Sequence, residues 1–145
     1  MRFSSPRSLD RRAKVPNSFN LPAAPLVCIV DDDASMANST RYLVSSFGFR
    51  AEAFLSAQQF LDSGLVEETK CLILILDLRM PGMDGLELQR HLTSTHKRIP
   101  IIFVSARAND DERTQAITGG AVDFLRKPYS EDALLNALQV ALNQG

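Results

Sequence analysis

The stretch Cys71-Leu72-Ile73-Leu74-Ile75-Leu76-Asp77 consists of six apolar residues followed directly by a carboxylate. A strand with one exposed face alternates apolar and polar residues, and this run does not alternate. It therefore predicts a strand that is covered on both faces, as in a parallel sheet with helices on either side. Four further short apolar runs, over 26–30, 50–54, 101–104 and 122–125, are the other predicted strands.

Segments with helical spacing separate these runs. The clearest is the last, where Leu134, Leu135, Leu138 and Leu142 form one apolar stripe. Strand and helix alternate five times, which predicts an α/β fold with a parallel five-stranded sheet between helices. The last helical pattern continues almost to Gly145, so we expect a single domain over 25–145.

The charge is unevenly distributed along the chain. Residues 1–24 contain five basic residues and one acidic residue, and they are rich in Arg, Ser and Pro. This composition predicts a disordered basic leader that is solvated rather than in contact with a membrane surface or nucleic acid. Residues 25–145 contain 11 basic and 16 acidic residues, which argues against direct nucleic-acid binding by the domain.

Two other features of the sequence limit the classes of protein to which the chain can belong. No apolar run approaches the roughly 20 residues that a membrane span requires, and the first 24 residues lack the apolar centre of a secretory signal. The two cysteines, Cys28 and Cys71, are too few for a secreted disulfide scaffold, so we expect them to be reduced core residues. Together these features predict a cytoplasmic protein without a membrane partner.

Polar side chains follow four of the five apolar runs. Ligands of open parallel sheets bind outside the carboxyl ends of the strands, so these side chains mark one candidate site. They are Asp31, Asp32 and Asp33 after the first run, Asp77 after the third, Ser105 after the fourth and Lys127 after the fifth.

The chemistry of this set points to a metal and a phosphoryl group. Adjacent carboxylates raise one another's pKa and repel unless a cation lies among them. Oxygen ligands suit Mg²⁺, which accepts one or two protein carboxylates and a phosphate oxygen. A metal, a lysine and a hydroxyl can orient a phosphoryl group, and a central carboxylate can attack it to form an acyl phosphate.

Four motifs contain these residues: Ile29-Val30-Asp31-Asp32-Asp33, Leu76-Asp77-Leu78-Arg79-Met80-Pro81-Gly82-Met83-Asp84-Gly85, Val104-Ser105-Ala106 and Phe124-Leu125-Arg126-Lys127-Pro128. In these motifs the chain resembles the receiver domain of two-component response regulators, most closely the receivers fused to helix-turn-helix outputs. The resemblance covers about residues 26–142. It implies a flavodoxin-like (βα)5 three-layer sandwich with strand order 2-1-3-4-5.

The resemblance implies roles for the residues of this candidate site. Asp77 corresponds to the aspartate that accepts a phosphoryl group from a sensor histidine kinase. Asp31 and Asp32 correspond to the acidic pair that holds Mg²⁺ together with Asp77. Arg79 would add its backbone carbonyl to the metal, and Lys127 corresponds to the phosphate-binding lysine, preceding an expected cis bond to Pro128.

Two further residues correspond to the family's switch. Ser105 corresponds to the residue that supplies the switch hydroxyl, a position where threonine is common. Phe124 corresponds to the aromatic side chain that changes position on activation. The resemblance thus implies a signalling phosphoacceptor, which assists only its own phosphorylation and dephosphorylation and is not otherwise an enzyme. The surface of the fourth helix, fifth strand and fifth helix would switch; it is either a phosphorylation-dependent homodimer interface or a simple solvated face.

Two alternatives stay open at this stage. The run Asp31-Asp32-Asp33-Ala34-Ser35 also fits the start of a haloacid-dehalogenase-type phosphatase, with Asp31 as nucleophile and Asp33 as general acid. That alternative leaves the motif after Asp77 unexplained. The receiver could also be the input half of a transcription factor rather than a stand-alone protein.

Overall fold

The structure is a computed structural model that describes residues 25–69 and 71–144. The leader predicted over 1–24 lies outside the described residues. Five strands form where apolar runs were expected, with ends shifted by at most one residue. They are β1 (Leu26–Val30), β2 (Arg50–Phe54), β3 (Leu72–Asp77), β4 (Ile101–Ser105) and β5 (Asp123–Arg126).

The five strands form one parallel sheet in the order β2-β1-β3-β4-β5, which confirms the predicted topology. β3 is the central strand, and all six of its residues are buried. This is the environment that its unbroken apolar sequence predicts. Asp77 is its last residue, so the carboxylate lies at the carboxyl end of a buried strand.

Helices cover both faces of the sheet. The second helical segment is divided into two short helices by Gly64, whose φ of +76° lies in the left-handed region that glycine adopts readily. The predicted fourth and fifth helices are therefore α5 and α6. The helices are α1 (Ala34–Ser46), α2 (Ala57–Asp62), α3 (Leu65–Glu68), α4 (Gly85–Ser94), α5 (Asp110–Thr118) and α6 (Glu131–Gln144).

Alternate residues of the strands enter two separate hydrophobic cores. In β3, Leu72, Leu74 and Leu76 pack on one face with the side chains of α2, α3, α4 and α5, and we call this the α2–α5 core. Ile73 and Ile75 pack on the other face with α1 and α6, in the α1/α6 core. The result is the expected three-layer sandwich.

Both cysteines are free, as expected. Cys28 lies within β1, where burial raises the pKa of its thiol to about 12, so that it stays protonated. Among the described residues, no helix combines the length and apolar character that crossing a membrane would require.

Gly85, the first residue of α4, lies unusually close to the end of β3. Its N–H donates a hydrogen bond to the Leu78 carbonyl at 2.9 Å. A Cβ atom at this position would lie 2.6 Å from the Asp77 carbonyl oxygen and 3.0 Å from both Leu78 Cα and a ring carbon of Phe103. The absence of a side chain therefore allows α4 to pack directly against the backbone of Asp77.

Candidate functional site

The site lies at the carboxyl end of the sheet, where β1, β3 and the segment after β5 meet. Val30 is the register partner of Leu76, so the next residues, Asp31 and Asp77, lie side by side. Both are buried, with 3% and 7% of their surface exposed. The structure thus brings together two carboxylates that are 46 positions apart in the sequence.

Lys127 supplies a positive charge between these carboxylates. Its Nζ lies 2.8 Å from Asp31 Oδ2 and 3.7 Å from Asp77 Oδ2. The N–H of Lys127 donates to the Ser105 carbonyl at 2.9 Å, which fixes the backbone beside β4. The Lys127–Pro128 bond is cis, as expected.

The three acidic residues after β1 have two different structural roles. Asp33 is the N-cap of α1, and its side chain accepts hydrogen bonds from the backbone N–H groups of Ser35 and Met36 at 3.0 and 3.2 Å. Asp31 and Asp32 instead form a cluster with Asp77, in which one carboxylate oxygen of each lies within 4.8 Å of the others. The general acid of the phosphatase alternative is therefore engaged in capping a helix.

This cluster has the composition of a site for a hard divalent cation. All three donors are carboxylate oxygens, the ligand type that Mg²⁺ prefers. Asp32 is exposed, so the cluster is open to solvent on one side and leaves room for water or phosphate oxygens. The residues present therefore fit the predicted cation.

The electrostatic environment of Asp77 differs from that of a free carboxylate. Burial first, and then the charge of Asp31, raise the pKa of Asp77 to about 6, although Lys127 and the Arg79 N–H act in the opposite direction. Burial alone would lower the pKa of Lys127, but its hydrogen bond to Asp31 and the charge of Asp77 outweigh burial and raise it. Lys127 therefore stays charged and only partly compensates the two carboxylates.

Ser105 and Phe124 lie on the neighbouring strands, as predicted, but the Ser105 hydroxyl is bonded within its own loop. It donates to the Arg107 carbonyl at 2.8 Å and accepts from the Arg107 N–H at 3.1 Å. Phe124 is partly buried against the α2–α5 core, and its ring stacks on Phe103 with centroids 6.1 Å apart.

Residues 27–139 match the family described as the response regulator receiver domain. The chain belongs to this family. It is 43% identical over 119 residues to the response regulator protein TodT of Pseudomonas putida, covering 82% of this chain and 52% of that protein. It is 35% identical over 118 residues to the transcriptional regulatory protein FixJ of Bradyrhizobium diazoefficiens, covering 81% of this chain and 57% of FixJ.

The solved structure of the response regulator StyR is also similar to this receiver, with a TM-score of 0.77 and 41% identity over 84% of this chain and 61% of the StyR chain. The chain thus spans about half the length of the curated relatives it matches, and about three fifths of the StyR chain.

Two side-chain pairs of this receiver were not predicted from the sequence. Thr40 of α1 and Tyr129 share a hydrogen bond of 2.7 Å that joins α1 to the segment after Lys127. Arg79 pairs with Glu112 of α5. The spacing of Asn109 and Glu112 is a capping-box signal, but it does not reveal that Glu112 also contacts Arg79.

Proposed function

We propose that this receiver accepts a phosphoryl group on Asp77 from a sensor histidine kinase, within the cytoplasm. The main support is the position of Asp77 at the end of the central strand, in a cluster with Asp31 and Asp32 and 3.7 Å from Lys127 Nζ. In this proposal an Asp77 oxygen forms a bond to phosphorus while the bond from phosphorus to the kinase histidine nitrogen breaks. Lys127 balances the added negative charge.

The identity of the modified residue tests this function. After incubation with a small phospho-donor and Mg²⁺, the acyl phosphate should map to Asp77 by mass spectrometry of proteolytic fragments. A label on Asp31 would favour the phosphatase alternative. Both Asp31 oxygens already accept hydrogen bonds, one from the Asp33 N–H and one from Lys127, which supports its role as a ligand rather than a nucleophile.

We propose Mg²⁺ as the cation of the acidic cluster. Asp31, Asp32 and Asp77 would hold it, with the Arg79 backbone carbonyl as a further ligand. When bound, Mg²⁺ supplies positive charge that neutralises phosphoryl oxygens.

Mg²⁺ should stabilise the fold, and Asp32 should be needed for most of this effect. The ion binds the folded state and relieves repulsion among the carboxylates, and stabilisation reaches about 2.7 kcal/mol at 100 times the Kd. Thermal unfolding with and without Mg²⁺ should therefore show a large shift for the wild type and a small one for Asp32→Asn. The control is Asp33→Asn, which keeps an N-cap and should keep the shift. Equal shifts in the wild type and Asp32→Asn would contradict the assignment.

We propose that Ser105 and Phe124 carry the signal away from Asp77. The Ser105 hydroxyl turns from its loop towards the phosphoryl oxygens, and Phe124 moves into the space that the loop vacates. The surface of α5, β5 and α6 then changes. This surface carries charges of both signs, which suits phosphorylation-dependent self-association: Asp110, Asp111, Arg113, Asp123, Arg126 and Glu131.

Ser105→Ala should separate phosphorylation from the switch. Asp77, the acidic pair and Lys127 all remain, so the variant should still be phosphorylated. Its surface around Phe124 should respond little, because no hydroxyl is present to follow the phosphoryl group. NMR shifts of the Phe124 amide with and without beryllofluoride measure this, with the wild type as reference. A full wild-type response in Ser105→Ala would show that the coupling does not run through this hydroxyl.

The output of the signal is proposed from the relatives. FixJ is named as a transcriptional regulatory protein and is longer than the region matched here. We propose that this receiver is the input half of such a regulator, or acts on one through protein contacts. Its acidic composition supports a role without direct nucleic-acid binding.

A further inference from the structure

Two side chains converge on the backbone carbonyl of Arg107, in the loop between β4 and α5. The Ser105 hydroxyl donates to this carbonyl at 2.8 Å, and Arg79 Nε donates to it at 3.0 Å. Arg79 lies two positions after Asp77, and its own N–H is 3.4 Å from Asp77 Oδ1. One carbonyl oxygen therefore joins the loop after the phosphoacceptor to the switch hydroxyl.

The Arg79 guanidinium makes a second contact at the far end of the same loop. Its Nη2 lies 2.5 Å from Glu112 Oε1, and the Glu112 side chain is 20% exposed. The same Glu112 oxygen accepts the Asn109 N–H at 3.1 Å, while Asn109 Oδ1 accepts the Glu112 N–H at 2.8 Å. Arg79 thus holds both the Arg107 carbonyl and the capping box that begins α5.

These contacts fix the direction of the Ser105 hydroxyl. To donate to a phosphoryl group on Asp77, the hydroxyl must leave the Arg107 carbonyl, and Arg79 holds that carbonyl where Ser105 can reach it. We propose that Arg79 and Glu112 are positioning residues that keep the Ser105 hydroxyl on the Arg107 carbonyl and so oppose the switch until Asp77 is phosphorylated. This inference rests on the proposed switching role of Ser105.

The chain offers one variant that weakens this restraint and one that removes it, and both keep the proposed phosphoacceptor, lysine and acidic pair. Glu112→Gln removes the charge that pairs with Arg79, and glutamine is a normal capping-box residue, so the start of α5 is kept. Arg79→Met removes both guanidinium contacts but keeps the backbone carbonyl and an apolar side chain. Asp111→Asn is the control, because it removes one negative charge from the same helical turn without touching the Arg79 pair.

The test is an NMR titration of each protein with beryllofluoride and Mg²⁺, following the amides of Arg107 and Phe124. Before any addition, Glu112→Gln and Arg79→Met should already have resonances displaced towards the bound wild-type positions. They should reach half-response at an about twofold to fivefold lower beryllofluoride concentration, the range expected from loss of one partly exposed ion pair. Asp111→Asn should follow the wild type.

Three results would overturn the inference. Free spectra and midpoints of both variants that equal those of the wild type would show that the contacts impose no restraint. A matching displacement in Asp111→Asn would assign the effect to the charge of the helix start rather than to the Arg79 pair. If the wild type itself showed no response at Phe124, the proposed switch would fail, and this inference with it.

Discussion

Asp77→Asn is expected to abolish phosphorylation of this receiver completely. Asparagine has nearly the same shape as aspartate, so the site should keep its geometry. A neutral amide, however, does not serve as the nucleophile that a carboxylate provides. The measurement is incorporation of a phosphoryl group from a small donor with Mg²⁺, followed by mass spectrometry of the intact protein. Undiminished labelling of the variant would refute the assignment of Asp77.

Asp33→Asn is the matched control for this variant. Asparagine caps helices about as well as aspartate, so α1 should be kept and labelling should be close to that of the wild type. The phosphatase alternative predicts instead that Asp33→Asn loses activity, because Asp33 would be its general acid. The two variants therefore distinguish the two functions.

Loss of labelling in Asp77→Asn should not reflect unfolding. The pKa of Asp77 is raised from 3.8 to about 6, so the folded state binds its proton more tightly than the unfolded state. The stability that this proton provides is present below about pH 4 and is lost as the pH rises through about 6. Without metal, Asp77→Asn should avoid this loss, so at pH 7 its free energy of unfolding should exceed that of the wild type by up to about 3 kcal/mol. Its unfolding temperature should be higher accordingly.

Gly85→Ala is expected to destabilise the fold, although alanine normally favours a helix over glycine by about 1 kcal/mol. The new Cβ would lie 2.6 Å from the Asp77 carbonyl oxygen, which belongs to the central strand and cannot move freely. Overpacking of this kind costs about 1–3 kcal/mol. Urea unfolding measures the change, and phosphorylation of Asp77 should slow because the same contact displaces its backbone.

Gly119→Ala is the comparison for this prediction. There the added Cβ would meet the end of the Gln89 side chain at 2.7–2.9 Å rather than a backbone atom. The Gln89 side chain is buried and its Nε2 donates to the Ala116 carbonyl at 2.9 Å. It can still change its torsion angles, which the Asp77 backbone cannot do, so the loss of stability should be smaller than for Gly85→Ala. A Gly85→Ala variant that is as stable as the wild type would show that α4 can move away from β3 without loss.

The positions of the strands and much of the site could be predicted because they depend on local sequence, whereas the strand order was implied by the resemblance to receivers. The apolar run before Asp77 identifies the central strand, and polar residues that follow parallel strands must meet at one edge. The proximity of Lys127 to Asp31 and Asp77 follows from that shared edge. The division of the second helical segment depends on one residue, Gly64. The hydrophobic periodicity of the segment does not reveal the backbone conformation of this residue.

The side-chain pairs of the site could not be predicted in the same way. Arg79 and Glu112 are 33 positions apart, and Thr40 and Tyr129 are 89 positions apart. Their contacts depend on how helices and loops pack on the finished sheet. For the same reason, the sequence predicted that Ser105 belongs to the site but not that its hydroxyl is bonded within its own loop.

The two separate cores give the proposed switch a direction. Phe124 packs in the α2–α5 core, whereas the next residue of β5, Leu125, packs in the α1/α6 core. A rearrangement of Phe124 would therefore be absorbed on one side of the sheet, while α1 and α6 act as a stationary frame. A partner that binds across α5, β5 and α6 would then respond to a displacement of α5 relative to α6. The sheet would separate the half of the domain that deforms from the half that stays rigid.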